Sequence, residues 1–144
     1  MALGIAALAM TALYAQSSYG NDGDCPCKYL GVGVPWSEYS DPAKLTALIE
    51  GKAESYILVD VRGKEEYESG HIPTAINIPV DEIASHPPTE AKDALIILYC
   101  RSGVRSAKAA GILRDLGYKG VIDFGGVNRW KGGLQTGPEP LSSH

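Results

Sequence analysis

The segment that decides the fold reads ALIILYCRSGVRS and runs from Ala94 to Ser106. Six apolar or aromatic residues open it, which predicts a strand buried on both faces of a sheet. A helix is predicted to follow over about 104–116, because apolar residues recur there at helical spacing and Gly117 can end the helix. Cys100 is therefore predicted to lie where a central strand ends and a helix begins.

Strands and helices also alternate on both sides of this segment. The patterns predict a helix over 42–51 capped by Asp41, strands over 56–60, 75–78 and 121–124, and a short helix over 64–69. Uninterrupted apolar strands that alternate with amphipathic helices are typical of an α/β fold whose parallel sheet is covered on both faces. In such folds active sites lie beyond the carboxyl ends of the strands, which is where Cys100 is expected.

Cys100 is the candidate nucleophile of this chain. Backbone amides at a helix N-terminus carry partial positive charge, and a compact loop there can direct several of them at one anion. Gly103 permits the backbone angles that such a loop needs, and Arg101 and Arg105 add two positive charges. These features favour the thiolate, so the pKa of Cys100 should be depressed, and the same loop should stabilise a persulfide anion. The alternative interpretation is an inert thiol buried at the end of a strand.

Three motifs resemble those of rhodanese domains in their order and spacing. CRSGVR, from Cys100 to Arg105, resembles the family's six-residue active loop. Three further segments resemble the family's first signature: ILVDVR at 57–62, EEYESGHIP at 65–73 and AINIP at 75–79. The closing motif resembles Gly125, Gly126, Trp130, Gly133 and Leu134. The likeness covers about residues 41–140 and departs from the family at Thr74, in a turn where glycine is usual.

The resemblance implies a rhodanese-like three-layer fold, in which helices flank a central parallel sheet. It also implies a two-step exchange, in which the Cys100 thiolate takes the outer sulfur of thiosulfate or another sulfane donor and a thiol or cyanide removes it. The loop that would bind the anion consists of Arg101, Ser102, Gly103, Val104 and Arg105. No metal or other cofactor is predicted.

Two other functions are open to such a chain. Phosphatases and arsenate reductases of related fold use a loop one residue longer, with arginine six positions after the cysteine. Here that position holds Ser106, and Arg105 stands five positions after Cys100, so the loop length favours a single sulfur atom over a phosphate. Rhodanese-like domains that lack the cysteine act as binding modules, and the presence of Cys100 with both arginines argues against that role.

Four further side chains have functional and structural interpretations. Asp60 and Arg62 are predicted to support the site as an ion pair or cap near the base of the loop, and not as acid–base groups. His71 could be a general base, but its place before Ile-Pro favours a hydrogen-bonded structural histidine. Trp130 is expected in the core or at the rim of the pocket.

Composition narrows the choice of partner and the domain organisation. The 144 residues suffice for one domain, and 44% are hydrophobic and 21% charged, as in a soluble globular protein. The net charge is −4 and the basic residues are dispersed, so a nucleic-acid partner is not expected. We predict that the folded domain spans 29–140, after a linker over 16–28, and that 141–144 form a tail.

The N-terminal tract 1–15 is uncharged and mostly apolar, and it is shorter than the roughly 20 residues that span a bilayer. It resembles the apolar part of a secretory signal peptide, which predicts a periplasmic or secreted mature protein without a membrane span. No Lys or Arg precedes the tract, and the alternative is a helical extension of a cytoplasmic protein.

Cys25 and Cys27 could form a disulfide, contribute to a metal site or remain free thiols in a flexible tail. Free thiols are favoured, because too few further metal ligands lie nearby.

Overall fold

A single parallel sheet organises the structure, a computed structural model that describes residues 36–51 and 55–138. Its strands are β1 (Tyr56–Asp60), β2 (Ile76–Asn77), β3 (Leu95–Cys100) and β4 (Gly120–Gly126), in the order β2-β1-β3-β4. All three pairings are parallel. The helices are α1 (Pro42–Gly51), α2 (Lys64–Ser69) and α3 (Val104–Asp115), and short 3-10 helices cover Trp36–Ser40 and Val127–Arg129. The predicted α/β class is confirmed.

The predicted elements are present, with shifts at some of their ends. β3 begins and ends one residue later than predicted, so Cys100 is itself the last residue of the strand. β4 is longer than predicted. β2 is shorter, because the amide of Ala75 bonds the carbonyl of Ile72 within a turn, at 3.1 Å. Asp41 caps α1 as predicted, by accepting two backbone amides at 2.8 and 3.3 Å.

Apolar side chains cover both faces of the sheet. β3 is central, and all six of its residues are buried. One face packs against α1 and α2 through residues such as Leu45, Leu58 and Tyr67, and the other packs against α3 through residues such as Leu98 and Leu113. Burial of each such leucine contributes roughly 1.5–3 kcal/mol of transfer free energy. The three predicted layers are therefore present.

β4 contains a bulge near its carboxyl end. Positions 98 and 99 of β3 pair with positions 123 and 125 of β4, which leaves Phe124 as an extra residue. The Asp123 carboxylate accepts the amide of Gly125 at 2.9 Å, and Gly125 has a φ of 95°, a conformation that favours glycine. The bulge places Gly126 opposite Cys100 in the sheet.

Several predictions fall on parts of the chain outside the described residues: the signal segment 1–15, the linker 16–28 with Cys25 and Cys27, both ends of the predicted domain and the tail 141–144. Within 36–51 and 55–138, no helix is long and apolar enough to cross a membrane. In the same two ranges, no three His, Cys, Asp or Glu side chains are grouped closely enough to hold a metal ion.

Candidate active site

Cys100 lies at the carboxyl end of the central strand and has no solvent-exposed surface in this conformation. Arg101, Ser102 and Gly103 connect it to the first residue of α3. Gly103 has a φ of 101°, in the left-handed region that glycine adopts readily. Its amide donates to Cys100 Sγ over 3.0 Å. The loop thus holds the thiol at the N-terminus of α3, where the sequence placed it.

Ser106, in the first turn of α3, is a second polar neighbour of the sulfur. Its side chain is buried, and its Oγ lies 3.6 Å from Cys100 Sγ. The hydroxyl can also donate to the carbonyl oxygens of Gly103 at 3.1 Å and Gly125 at 3.4 Å. Because it has one proton, Ser106 donates to a carbonyl while the Cys100 thiol donates to Oγ. When Cys100 ionises, the hydroxyl can turn and donate to the thiolate.

The sequence argument used Ser106 only to exclude a longer loop and did not assign it to the site. The sequence did contain an indication that Ser106 belongs to the site, because Ser106 is the third residue of the helix that follows the cysteine. Side chains in a helix point toward its N-terminus, so a short hydroxyl side chain in the first turn reaches back to the loop.

Hydrogen bonds to the sulfur control the acidity of Cys100. Burial is the largest single influence and raises the pKa of the thiol. The amide and hydroxyl of Ser106 and the amides of Gly103 and Ser102 together outweigh burial and hold the pKa below its ordinary value. The direction agrees with the sequence prediction, and the amide and hydroxyl of Ser106 in α3 lower the pKa more than the loop amides of Gly103 and Ser102 do.

The two arginines of the loop have different surroundings. Arg101 is exposed, and its guanidinium makes no hydrogen bond or ion pair to residues within 36–51 and 55–138. Arg105 is only partly exposed, and its Nη1 and Nη2 donate to the two carboxylate oxygens of Glu66 at 2.7 and 3.1 Å. The hydrogen bond to Glu66 is the main reason why the pKa of Arg105 is raised, and the ionised Cys100 raises it further.

Glu66 is a site residue that the sequence did not single out. It is the third residue of α2, and its carboxylate also accepts the amide of Gly63 at 3.3 Å. The segment EEYE offers three acidic side chains at neighbouring positions. Which of them faces the loop depends on how α2 packs on the sheet, and the local sequence pattern does not contain that information.

Asp60 and Arg62 form the predicted ion pair, which is buried at the carboxyl end of β1. Arg62 Nη2 lies 2.6 Å from Asp60 Oδ2 and also donates to the carbonyl of Gly70 at 2.7 Å. The side-chain amide of Asn77 donates to the carbonyl oxygens of both partners, at 3.0 and 2.9 Å. Asp60 pairs in the sheet with Tyr99, the residue before the cysteine. The pair therefore fixes the chain between β1 and α2, and α2 in turn carries Glu66.

His71 and Trp130 have structural surroundings. His71 is buried, its Nδ1 lies 2.9 Å from the carbonyl oxygen of Tyr67, and its ring stacks on the Tyr67 ring at a centroid distance of 3.8 Å. Trp130 is partly buried against the core, and its indole nitrogen donates to the carbonyl of Gly133 at 3.2 Å. The structural interpretations of both residues are supported by these contacts.

Thr74 keeps a glycine-like backbone in the turn where glycine was expected. Its φ is 71°, and it is the only residue other than glycine with positive φ in the described ranges. Its Oγ1 lies 2.9 Å from the hydroxyl of Tyr56, which helps to hold the strained residue. The departure from the family pattern thus leaves the turn in place.

The end of β4 lies directly against the active loop. A Cβ atom added to Gly126 would come within 2.7 Å of the carbonyl oxygen of Arg101 and closer still to the side chain of Asn128. A Cβ on Gly103 would lie 3.5 Å from the Cα of Gly125. The loop can approach this closely because position 126 has no side chain.

Comparisons with known proteins agree with this arrangement. The sequence model of the family described as Rhodanese-like domain matches residues 41–132. The chain is 39% identical to YtwF of Bacillus subtilis, over 62% of this chain and 86% of that protein. It is 37% identical to a sulfurtransferase of Allochromatium vinosum, over 54% of this chain and 73% of the relative. A solved structure of a rhodanese with anions from E. coli matches with a TM-score of 0.51 and 32% identity, over 58% of this chain and 100% of that one. Other curated relatives are longer, and the chain spans less than half of their length.

Proposed function

Because the chain belongs to the rhodanese-like domain family, we propose that it is a sulfurtransferase that carries sulfane sulfur as a persulfide on Cys100. The donor in this proposal is thiosulfate or a related sulfane anion, and the acceptor is a thiol or cyanide. One relative is named a sulfurtransferase, and the E. coli structure is of a rhodanese with anions. Both descriptions support this class of reaction.

The observation that carries the proposal is the set of donors around the Cys100 sulfur. The Gly103 amide lies at 3.0 Å, and the Ser106 hydroxyl at 3.6 Å can turn toward a negative charge. The cysteine alternates between a thiolate and a persulfide anion during sulfur transfer, and both carry one negative charge. The donors at Sγ stabilise the thiolate, whereas the charge of the persulfide lies on its outer sulfur, about 2 Å beyond Sγ, where the other amides of the loop and the N-terminus of α3 can stabilise it.

The reaction has two displacement steps. In the first, the Cys100 thiolate attacks the outer sulfur of thiosulfate, a bond forms between the two sulfur atoms, and the S–S bond of the donor breaks so that its electron pair leaves with sulfite. In the second, a thiolate or cyanide attacks the outer sulfur of the persulfide, and Cys100 leaves as the thiolate. No proton moves in either step as written. The buried structural positions of Asp60 and His71 fit a scheme without a general base.

Mass measurement tests this proposal directly. Treatment with thiosulfate should add about 32 Da, one sulfur atom, through the covalent intermediate expected of a nucleophilic cysteine. Cyanide should remove that mass and release thiocyanate. Cys100→Ser should gain nothing. A gain of mass in Cys100→Ser, or turnover of phosphate esters comparable to sulfur transfer, would refute the assignment.

We also propose that the tract 1–15 directs export, on the ground of its uncharged apolar composition. Cell fractionation with N-terminal sequencing tests this. A mature form outside the cytoplasm that begins after residue 15 is expected, and a cytoplasmic form that keeps Met1 would contradict it.

A further inference from the structure

The charges around the active loop do not add up to a strongly cationic site. Arg101 and Arg105 supply two positive charges, but both terminal nitrogens of Arg105 donate to the carboxylate of Glu66. The ionised Cys100 carries a further negative charge at the base of the loop. These four groups together have no net charge. A dianionic donor thus meets no excess of formal positive charge on these four side chains.

Glu66 is a fixed negative charge at this site. Its side chain is about one-third exposed, and it is held from two elements, by Arg105 of α3 and by the amide of Gly63 before α2. The hydrogen bond from Arg105 is the main reason why the pKa of Glu66 is lowered. The carboxylate is therefore ionised at neutral pH.

We propose that Glu66 is a specificity-determining residue that disfavours dianionic sulfur donors, such as thiosulfate, relative to donors with a single negative charge. The inference rests on the proposed sulfur transfer and adds the charge class of the donor. Glu66 is not among the hydrogen-bond partners of the Cys100 sulfur, and it acts through its own charge, which lies beside the guanidinium of Arg105. An incoming anion must either displace Glu66 from the guanidinium or bind beside the intact pair. In both cases repulsion by Glu66 grows with the charge of the donor.

Coulomb's law sets the size of the effect. A unit charge about 6 Å from a dianion in water-like surroundings changes binding about tenfold, and it changes the binding of a monoanion about threefold. Removal of the Glu66 charge should therefore improve the use of a dianion more than that of a monoanion. Thiosulfate and methanethiosulfonate form a matched pair of donors, because both present a terminal sulfur on a sulfonyl sulfur and they differ by one charge. Their leaving groups are sulfite and methanesulfinate.

The experiment compares kcat/KM for the two donors, with cyanide as acceptor, in the full chain and in Glu66→Gln. At low ionic strength, we expect Glu66→Gln to raise the value about tenfold for thiosulfate, chiefly through a lower KM, and about threefold for methanethiosulfonate. The ratio between donors should thus move about threefold toward thiosulfate, and the shift should shrink in high salt. This ratio does not depend on how much of the variant is folded, so a destabilised variant still gives a valid answer.

Two variants serve as controls. Glu65→Gln removes the same formal charge from the neighbouring, exposed position of α2 and should keep the donor ratio of the unmodified chain. Glu66→Asp retains the charge and should also keep the ratio, whereas a purely structural role for Glu66 would change both donors equally. An unchanged donor ratio in Glu66→Gln, or a shift toward methanethiosulfonate, would overturn the inference about Glu66 and leave the proposed function standing. If the unmodified chain took sulfur from neither donor, the proposed function would fail and the inference with it.

Discussion

The backbone amide of Gly103 donates to the sulfur of Cys100 over 3.0 Å, from a residue held at a φ of 101°. Substitution of a side chain cannot remove this donor, whereas the hydroxyl of Ser106 can be deleted. The backbone and side-chain contributions to the acidity of Cys100 can therefore be measured separately.

Ser106→Ala should make Cys100 a weaker acid, because it removes a donor that can face the thiolate. A hydrogen bond to a charged group contributes about 1.5 kcal/mol or more, so alkylation by iodoacetamide at a pH below the pKa should slow about tenfold. In the unmodified chain, alkylation should reach its plateau at a lower pH than in an ordinary cysteine, since its pKa is lowered. Ser102→Ala keeps its backbone amide and should follow the unmodified curve. Identical pH profiles for Ser106→Ala and the unmodified chain would rule out the hydroxyl as a donor.

Arg101→Ala and Arg105→Ala should both weaken thiosulfate use, and Arg105→Ala should be the more harmful. Arg101→Ala removes one exposed charge, which should raise KM about threefold to tenfold at low salt and much less at high salt. Arg105→Ala removes a charge and also leaves the carboxylate of Glu66 without its partner. Arg101→Lys retains the charge and should stay close to the unmodified chain. Steady-state kinetics at two salt concentrations test this. A larger loss of kcat/KM for thiosulfate in Arg101→Ala than in Arg105→Ala would contradict the prediction.

Asp60→Asn should destabilise the fold strongly. It leaves the guanidinium of Arg62 buried without its carboxylate, and breaking a buried pair in this way costs about 3–5 kcal/mol. Glu68→Gln breaks the exposed pair with Lys64, at 3.8 Å, and should cost less than about 0.5 kcal/mol. Denaturant unfolding followed by circular dichroism measures both. Equal losses of unfolding free energy in the two variants would mean that the buried pair stabilises the fold no more than the exposed pair does.

Gly126→Ala should disturb the active loop, because its Cβ would press on the carbonyl oxygen of Arg101. Overpacking typically costs about 1–3 kcal/mol, and a small displacement of the reacting group can lower the rate about 100-fold. We expect sulfur transfer to fall at least about tenfold while the chain still folds. Gly111 lies in α3 with open space around it, so Gly111→Ala should raise the free energy of unfolding by about 1 kcal/mol and keep full activity. Equal activity of the two variants would show that the β4 contact does not hold the loop.

The sequence identified the elements with the strongest periodicity and the residue at their junction. β3 is apolar throughout, and the segment after it has helical spacing, so the position of Cys100 followed from local pattern alone. The ion pair of Asp60 and Arg62 could also be predicted, because a carboxylate at the end of a buried strand needs a partner and an arginine stands two positions later.

The parts that the sequence did not reveal depend on packing between elements. Glu66 reaches Arg105 across 39 positions of sequence, and the pairing depends on how α2 and α3 are placed on the sheet. The bulge at Phe124 is similar, because the strand predicted over 121–124 does not show which of its residues is left unpaired. Such features need the relative positions of two elements, which a single-segment pattern does not contain.

The contact between Gly126 and the carbonyl of Arg101 also affects how this loop can change during evolution. An insertion that lengthened the loop toward the size used for phosphate would push against a strand end encoded much later in the gene. A change in that strand end alone would loosen the present loop and bring no new chemistry. We therefore expect a longer loop to require a compensating change at the end of β4.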